Sequence, residues 1–512
     1  MSKSLPQRLY CAEQVKQGEQ VVASKMQLPM FDLMARAGQA LFDHVQQQWP
    51  ELKTMLVCCG TGNNGGDGYV LAYLAKQAGI AVQVWQLGQA SALKGDAAIA
   101  RDLWLSEGGD IDRPDKHIPE QVELIVDAIL GIGIKGPVRS QAADVIRTIN
   151  AENRQVLSVD VPSGLDCDIG VAPSEVVQAT TTLTFIAVKQ GLLTGIAKSV
   201  VGKLYYAALD VQEEFEQLVK PSCWRVSERD VIDLLAPRHV LAHKGSHGRV
   251  VCIGGDYDMA GAIALSSQGC LRTGAGLVAA ITRTDHITPL IVRTPELMAL
   301  GCERADEGHV KQRLEWADVV VIGPGLGVEN WGRSFYQLLT QPDIIDKLNL
   351  VFDADALNLL AQEPSYNDKR VLTPHPGEAA RLLGCSVSDI ESDRFLAVSN
   401  IQKKYGGVVV LKGPGSIIFD GENYALVQEG NPGMASGGMG DVLSGIIGGL
   451  LAQRLTLFDA ARLGTWIHSR AGDLASQNGE RGMLASDLFP YIRQLINVQK
   501  IEDANIRTDS CY

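Results

Sequence analysis

"TMLVCCGTGNNGGDGYVLAYLA", residues 54–75, is the stretch whose reading decides the fold of the first half of the chain. A short apolar, β-forming run enters a glycine turn, and an apolar helical pattern resumes at once. That order is the strand–turn–helix unit of a parallel sheet. Gly60, Gly62 and Gly65 keep the G-x-G-x-x-G spacing that lets backbone N–H groups approach a pyrophosphate at a helix start. Asp67 lies in the same turn, where a carboxylate would oppose a phosphate. The stretch about 20 residues onward, "GIAVQVWQLGQ" (79–89), supplies no acid to hold a ribose. A plain dinucleotide-binding loop is therefore a poor description.

Outward from this unit, residues 10–50 read as two amphipathic helices, the second opening at Pro29. Candidate strands follow at 54–59, 81–87, 122–129, 155–161 and 181–188, with helical patterns between several of them. Strands alternating with helices predict a parallel sheet covered on both faces. The polar, proline-marked "VQEEFEQLVKPSCWRVSERD" (211–230) separates the halves, and the boundary is placed near residue 221. A second α/β series then runs through 248–255, 276–282, 317–327, 348–358, 369–378 and 406–416. Three helical patterns close it, roughly 440–453, 457–476 and 484–496. The expected domains are 1–220 and 221–500, followed by a polar tail at 501–512.

The 512 residues carry 46 Lys and Arg against 59 Asp and Glu, a net charge of −13, with no block of like charge. This argues against a nucleic-acid or anionic-membrane surface. No stretch has the length of a bilayer span, and "MSKSLPQRLYCAEQ" (1–14) lacks a signal-peptide core. The ten cysteines form no CxxC pair or metal-ligand spacing, so reduced thiols and a cytoplasmic location are expected. His239, His243 and His247 recur every four residues, but "HKGSHG" (243–248) reads as a loop rather than a metal-binding helix face.

Asp67 follows the first strand, Asp127 ends the third and Asp160 ends the fourth. Parallel strands bring such residues to one sheet edge, the edge at which open α/β sheets bind ligands. Unrelated loop acids are the competing reading. Clustered carboxylates raise one another's pKa unless a cation or hydrogen-bond donors intervene. The Asn64 amide and Ser163 hydroxyl add oxygen donors near Asp127, a set suited to a hard cation.

"GTGNNGGDG" (60–68), "VDAILGIGIKGPV" (126–138), "SVDVPSGLDCDIG" (158–170) and "FIAVKQGLLTG" (185–195) together resemble the NAD(P)H-hydrate epimerase family over about residues 10–220. The resemblance implies a Rossmann-like three-layer α/β/α domain that binds the hydrated cofactors NADHX and NADPHX. Their contacts would be Asn63, Asn64, Gly65, Gly66 and Asp67, the loop Gly131, Ile132, Gly133, Ile134, Lys135, Gly136 and Pro137, and Asp160. It implies potassium on Asn64, Asp127 and Ser163. Asp67 can then face the hydrated ring or ribose while glycine amides and Lys135 face the phosphates. The hydrate carries its hydroxyl on the ring carbon beside nitrogen, so inversion needs proton transfer coupled to reversible opening of that centre. Asp160 is the nominated acid–base group, with substrate binding alone as its alternative role; Lys189 ranks behind it.

In the second half, "EGNPGMASGGMGDVLSGIIGGLLA" (429–452) combines a glycine turn with a helix start. Backbone N–H groups and the positive helix end suit an anion there, and Asp441 stands where it could take a proton from a hydroxyl. An ordinary helix cap is the bland alternative. "NPGMASGGMGDVLSG" (431–445) and "LKGPGS" (411–416) resemble the ribokinase-like superfamily. "GPGLG" (323–327), "DADALN" (353–358), "TPHPGEAARLLG" (373–384) and "HKGSHGRVVCIGG" (243–255) narrow the resemblance to the ADP-dependent NAD(P)H-hydrate dehydratases, over about 226–500.

The implied hydrate contacts are Ala260, Gly261, Gly325, His375 and Asp441. The implied ADP contacts are Lys412, Gly413, Pro414, Gly415, Ser416 and Gly440, with Mg²⁺ accompanying the nucleotide. Glu378 stands where many relatives carry an acid serving magnesium through solvent, but the usual asparagine three residues earlier is His375. The implied reactions are epimerisation of R- and S-NAD(P)HX, and ADP-dependent dehydration of the S form to NAD(P)H, AMP and phosphate. A small-molecule kinase fused to a Rossmann-like binding module is the competing reading. The resemblance also implies a homo-oligomer through the C-terminal domain, a tetramer being the form it suggests; Gly-rich apolar helices would permit such contacts.

Overall fold

Alternate residues of the first sheet point to opposite faces, and both faces are apolar, so helices must cover both. The computed structural model describes residues 5–115, 117–341, 344 and 347–497; the tail expected at 501–512 lies outside them. The chain forms two compact units, Met1–Trp224 and Arg225–Tyr512.

In unit 1 the strands are β1 (Arg8–Tyr10), β2 (Thr54–Cys59), β3 (Ala81–Gln86), β4 (Leu124–Ala128), β5 (Gln155–Val159), β6 (Thr181–Phe185), β7 (Val188–Lys189) and β8 (Lys203–Ala207). The main sheet has the order β3-β2-β4-β5-β6-β8 and is parallel throughout. Met55, Val57 and Cys59 pack with helices Met30–Gln48, Asn63–Gln77 and Gly95–Ser106. Leu56 and Cys58 pack with helix Ser140–Ala151 on the opposite face. β1 runs parallel to β7 and antiparallel to β9 (Cys223–Arg225).

The chain passes from β2 to β3 on one side and then returns across β2 to β4. That reversal opens a crevice beyond the carboxyl ends of β2 and β4, the place where open α/β sheets hold ligands. Gly60 makes the crevice possible: a Cβ there would fall 1.9 Å from the Ile129 carbonyl oxygen.

Unit 2 repeats the logic. Its strands are β10 (Arg249–Ile253), β11 (Leu277–Thr282), β12 (Met298–Gly301), β13 (Val319–Ile322), β14 (Asn349–Phe352), β15 (Arg370–Leu372), β16 (Val408–Leu411), β17 (Ser416–Phe419) and β18 (Tyr424–Val427). Their order is β12-β11-β10-β13-β14-β15-β16-β17-β18. β10 to β16 pair in parallel, while β17 and β18 are antiparallel. The region expected at 406–416 thus divides into β16 and β17, joined by a loop. Here the reversal lies between β10 and β13.

Helices Ala260–Thr273, Met439–Ala452 and Leu457–Ala475 share a buried core with one face of the sheet. The glycine-rich helix is spent inside the unit, since a Cβ on Gly445 would fall 2.1 Å from the Ser266 carbonyl oxygen. No described helix is long and apolar enough to cross a membrane.

Candidate active sites

The crevice of unit 1 is a cleft of about 720 Å³. Asn63, Asn64 and Asp67 reach it from the first turns of helix Asn63–Gln77, and residues 131–135 and Pro137 form another wall. Asp160, just past β5, and Lys189, in β7, also line it, as does Glu19 from helix Ala12–Met26. Asp160 adopts φ +64, a strained conformation for a non-glycine residue. The strain is held by three donors to its Oδ1: Lys189 Nζ at 2.5 Å, Thr184 Oγ1 at 2.9 Å and the Phe185 amide at 3.1 Å. Lys189 also donates to Thr184 Oγ1 and to the Phe185 carbonyl.

One lysine thus faces three carboxylates. Burial pushes Glu19 up to about 7 against the pull of Lys189, with Asp160 adding to the rise and Lys16 opposing it. Burial also raises Asp67 well above the usual carboxylate range; Asp160 and Glu19 reinforce this, and Lys189 opposes it. Lys135 stands at the rim, 76% exposed, 3.7 Å from Asp168. Gly65, Gly66 and Gly136 are not among the cleft-lining residues. Gly65 and Gly66 instead face the packed interior, where a Cβ would fall 2.1 Å from Gly60 O or 2.6 Å from Met34 Sδ.

Asp127 shares the sheet edge but is fully buried away from this cleft. Its Oδ2 accepts from Ser158 Oγ at 2.9 Å and the Ser163 amide at 2.8 Å, and its Oδ1 from Ser163 Oγ at 2.5 Å. Burial raises its pKa, and the hydrogen bonds from Ser163 and Ser158 oppose that rise. No basic side chain forms an ion pair with it among the described residues. The Asn64 amide donates to the Leu130 carbonyl at 3.0 Å, and the Leu130 amide donates to Ser163 Oγ at 2.8 Å. The Leu130 peptide therefore links Asn64, Ser163 and Asp127.

In unit 2 the turns after β10 and β13 meet at the strand reversal. The Gly255 amide bonds Pro324 O at 3.0 Å, and the Asp256 amide bonds Gly325 O at 2.6 Å. Gly325 has φ +56, and helix Ala260–Thr273 begins beside this turn. Gly261 borders open space.

A second carboxylate–lysine cluster lies at the ends of β14, β15 and β16. Lys412 Nζ is 2.9 Å from Asp353 Oδ1 and 3.7 Å from Glu378 Oε2. Thr373 Oγ1 donates to the same Asp353 oxygen at 2.8 Å. Burial disfavours the Lys412 ammonium, but Asp353 and Glu378 outweigh it and raise its pKa. Asp441 lies in the first turn of helix Met439–Ala452. Burial raises it to about 7, Asp353 adds to the rise and Lys412 opposes it. Glu378 is likewise raised to about 7 by burial, against Lys412.

His375 caps helix Pro376–Leu383: its Nδ1 accepts from the Gly377 amide at 3.0 Å, while Glu378 Oε2 accepts from the His375 amide at 2.8 Å. The cap fixes the imidazole, whose side chain remains 55% exposed. Buried Arg394 donates to the carbonyls of Leu411 and Lys412 and lies beneath Gly413 in the loop to Ser416. Asp473 holds the glycine turn through Gly430 N and Asn431 Nδ2. Asp353 opens the quoted "DADALN" but is not among the expected site residues; Glu19, Arg394 and Asp473 had no local signal.

Two α/β sheets, each reversing its strand order among parallel strands and each with a carboxylate–lysine cluster at its carboxyl edge, define a two-domain α/β enzyme with two separate sites. The family models agree with that division: the model of the YjeF-related protein N-terminus matches residues 31–191, and that of NAD(P)H-hydrate dehydratase matches 250–494. The bifunctional NAD(P)H-hydrate repair enzyme Nnr of Vibrio cholerae is 46% identical, covering 96% of this chain and 99% of that protein. The Escherichia coli enzyme of the same name is 44% identical, covering 98% and 96%. A crystal structure of ADP/ATP-dependent NAD(P)H-hydrate dehydratase from Bacillus subtilis, co-crystallised with ATP and Mg²⁺, is 25% identical with a TM-score of 0.46, covering 52% of this chain and 96% of that one. The chain belongs to the family of bifunctional NAD(P)H-hydrate repair enzymes. It joins an NAD(P)H-hydrate epimerase and an NAD(P)H-hydrate dehydratase.

Proposed function

We propose that unit 1 interconverts the R and S hydrates of NADH and NADPH at the Asp67–Asp160–Lys189 cleft. Unit 2 dehydrates the S hydrate at the Asp441–Lys412 cluster, converting ADP to AMP and phosphate. The observation that carries this reading is one arrangement found twice: a lysine, buried in unit 1 and partly buried in unit 2, set among carboxylates at the ligand edge of each sheet.

In unit 1, Asp160 exchanges a proton with the ring hydroxyl, and Lys189 keeps its carboxylate oriented. In unit 2, Asp441 takes the proton of the ring hydroxyl as that oxygen bonds the terminal phosphorus of ADP and AMP departs. The hydroxyl becomes a phosphate ester. The C–O bond then breaks toward phosphate, a ring proton is lost, and the dihydronicotinamide is restored. Amides at the start of helix Met439–Ala452 steady the transferring anion; losing one comparable donor costs about 2.7–4 kcal/mol. Ala260, Gly261, Gly325 and His375 bind the hydrate; the loop Lys412–Ser416 and Gly440 bind ADP.

Asn64, Asp127 and Ser163 fit potassium, because Asp127 is a buried carboxylate met by hydroxyl and amide donors rather than by a basic side chain. Bound there, the ion would balance that charge and brace the Leu130 loop. For Mg²⁺ carried with ADP, Glu378 and Asp441 supply hard oxygen donors, and the ion would neutralise phosphate charge. Free thiols among the described residues suit the cytoplasm. A homo-oligomer through the C-terminal half rests on the family resemblance, and sedimentation measures it.

The test supplies mixed hydrate epimers with ADP, with and without potassium, and follows NAD(P)H absorbance. Recovery of the whole pool, with AMP and phosphate, is expected. Recovery of one epimer alone would remove the epimerase reading. A stable phosphorylated product without NAD(P)H would make unit 2 a kinase.

A further inference from the structure

We propose that Glu19 is a catalytic residue of the epimerase half: it passes a proton to and from the ring nitrogen of the hydrate while Asp160 serves the hydroxyl. The inference rests on the epimerase reading of unit 1 and deepens it.

The residue comes from helix Ala12–Met26, before the segment matched by the N-terminal family model, 31–191. It nevertheless lines the cleft together with Asp67, Asp160 and Lys189. Neighbouring Val15 turns into the apolar core of unit 1, and Gly18 packs against Phe215. These contacts fix the helix so that Glu19 faces the cleft. Four charged groups meet it there: Lys16 on its own helix, Asp67 from helix Asn63–Gln77, Asp160 after β5, and Lys189 in β7. No ion pair or hydrogen bond engages its carboxyl among the contacts described, whereas Asp160 is tied to Lys189, Thr184 and Phe185. Asp160 is thus fixed beside a lysine by three donors, and Glu19 is left to gain and lose a proton.

The chemistry needs such a division. Opening a ring carbon that bears a hydroxyl beside nitrogen requires two coupled proton transfers. A base takes the hydroxyl proton as the C=O bond forms. The C–N bond breaks with its electron pair going to nitrogen, which takes a proton from an acid. The freed carbonyl turns its other face, and closure runs the same transfers backward. The nitrogen returns its proton to the first acid, and the new hydroxyl takes the proton from the base. No oxidant, reductant or other reactant is consumed. Asp160, oriented by Lys189, suits the first task, and Glu19, titrating at about 7, can supply and recover the second proton at physiological pH.

The experiment compares full-length Glu19→Gln and Glu19→Asp with the parent, measuring epimer interconversion and ADP-dependent dehydration separately. The expected result is a kcat for interconversion lowered about 10²–10⁴-fold in Glu19→Gln, with partial recovery in Glu19→Asp. KM should change little, and dehydration of pure S hydrate should persist. In the parent, interconversion should fall as pH rises through about 7, and Glu19→Gln should lose that limb. Parent-like interconversion in Glu19→Gln, or a retained pH limb, would overturn the assignment. A parent chain that dehydrates but never interconverts the epimers would overturn the epimerase reading beneath it.

Discussion

Lys189 Nζ lies 2.5 Å from Asp160 Oδ1, and the lysine side chain is 1% exposed. Removing one partner of a buried pair leaves an uncompensated charge, typically costing about 3–5 kcal/mol. Lys189→Met should therefore lower both stability and epimerisation. Asp160→Asn should abolish epimerisation, and combining the two substitutions should restore most of the stability without restoring activity. Denaturant unfolding and epimer interconversion, measured on the same three variants, check this.

Potassium should raise the thermal midpoint of the full chain more than lithium does, and Ser163→Ala should erase that difference. Binding at a concentration 100 times its Kd contributes about 2.7 kcal/mol. Asp127 also sets a pH dependence. Its folded pKa is raised, so its contribution to stability is greatest below the ordinary carboxylate range and declines as pH climbs. A cation beside the ionised form opposes the decline, so the potassium increment should grow with pH. Calorimetric scans in chloride salts at several pH values measure it.

Asp441 must be ionised to accept a proton, and it titrates near 7 in the folded chain. Dehydration should fall as pH drops below about 7. Asp441→Asn should cost about 10²–10⁴-fold in dehydration and spare epimerisation. Lys412→Met should move the limb to higher pH, because Lys412 is the group opposing the rise. Stability runs the other way: a raised carboxyl stabilises most at low pH and loses that contribution as pH approaches 7. Asp441→Asn should consequently melt above the parent at pH 8. Rate profiles and melting curves over the same buffers test both signs.

Gly440 lies one residue before Asp441, and a Cβ there would fall 3.3 Å from Lys412 Nζ and 3.5 Å from Asp353 Oδ2. Alanine favours a helix over glycine by about 0.8–1 kcal/mol. Gly440→Ala should therefore keep or raise the melting point while displacing the lysine and weakening ADP-dependent turnover. ADP titration and melting curves, read together, distinguish this from simple misfolding.

What the sequence determined by itself is local. Apolar runs broken by glycine turns fix strands and helices through side-chain period and allowed backbone angles, so the parallel sheet of the first half, the α/β series of the second and the shared edge of Asp67, Asp127 and Asp160 were legible, while the antiparallel turn-back of β17 and β18 was not. The paired helices expected in 10–50 form at Ala12–Met26 and Met30–Gln48. Only the tertiary structure decided how charges partner, because electrostatic contacts join residues far apart in the chain. It sends Asp127 into a buried ring of serine and amide donors, ties Asp160 to Lys189 and seats Arg394 beneath the Lys412–Ser416 loop. It brings Glu19 to Asp67 and Asp160 from a helix whose polar pattern reads like any solvated face. Periodicity says which side of an element is buried; through-space packing says which acid keeps its proton.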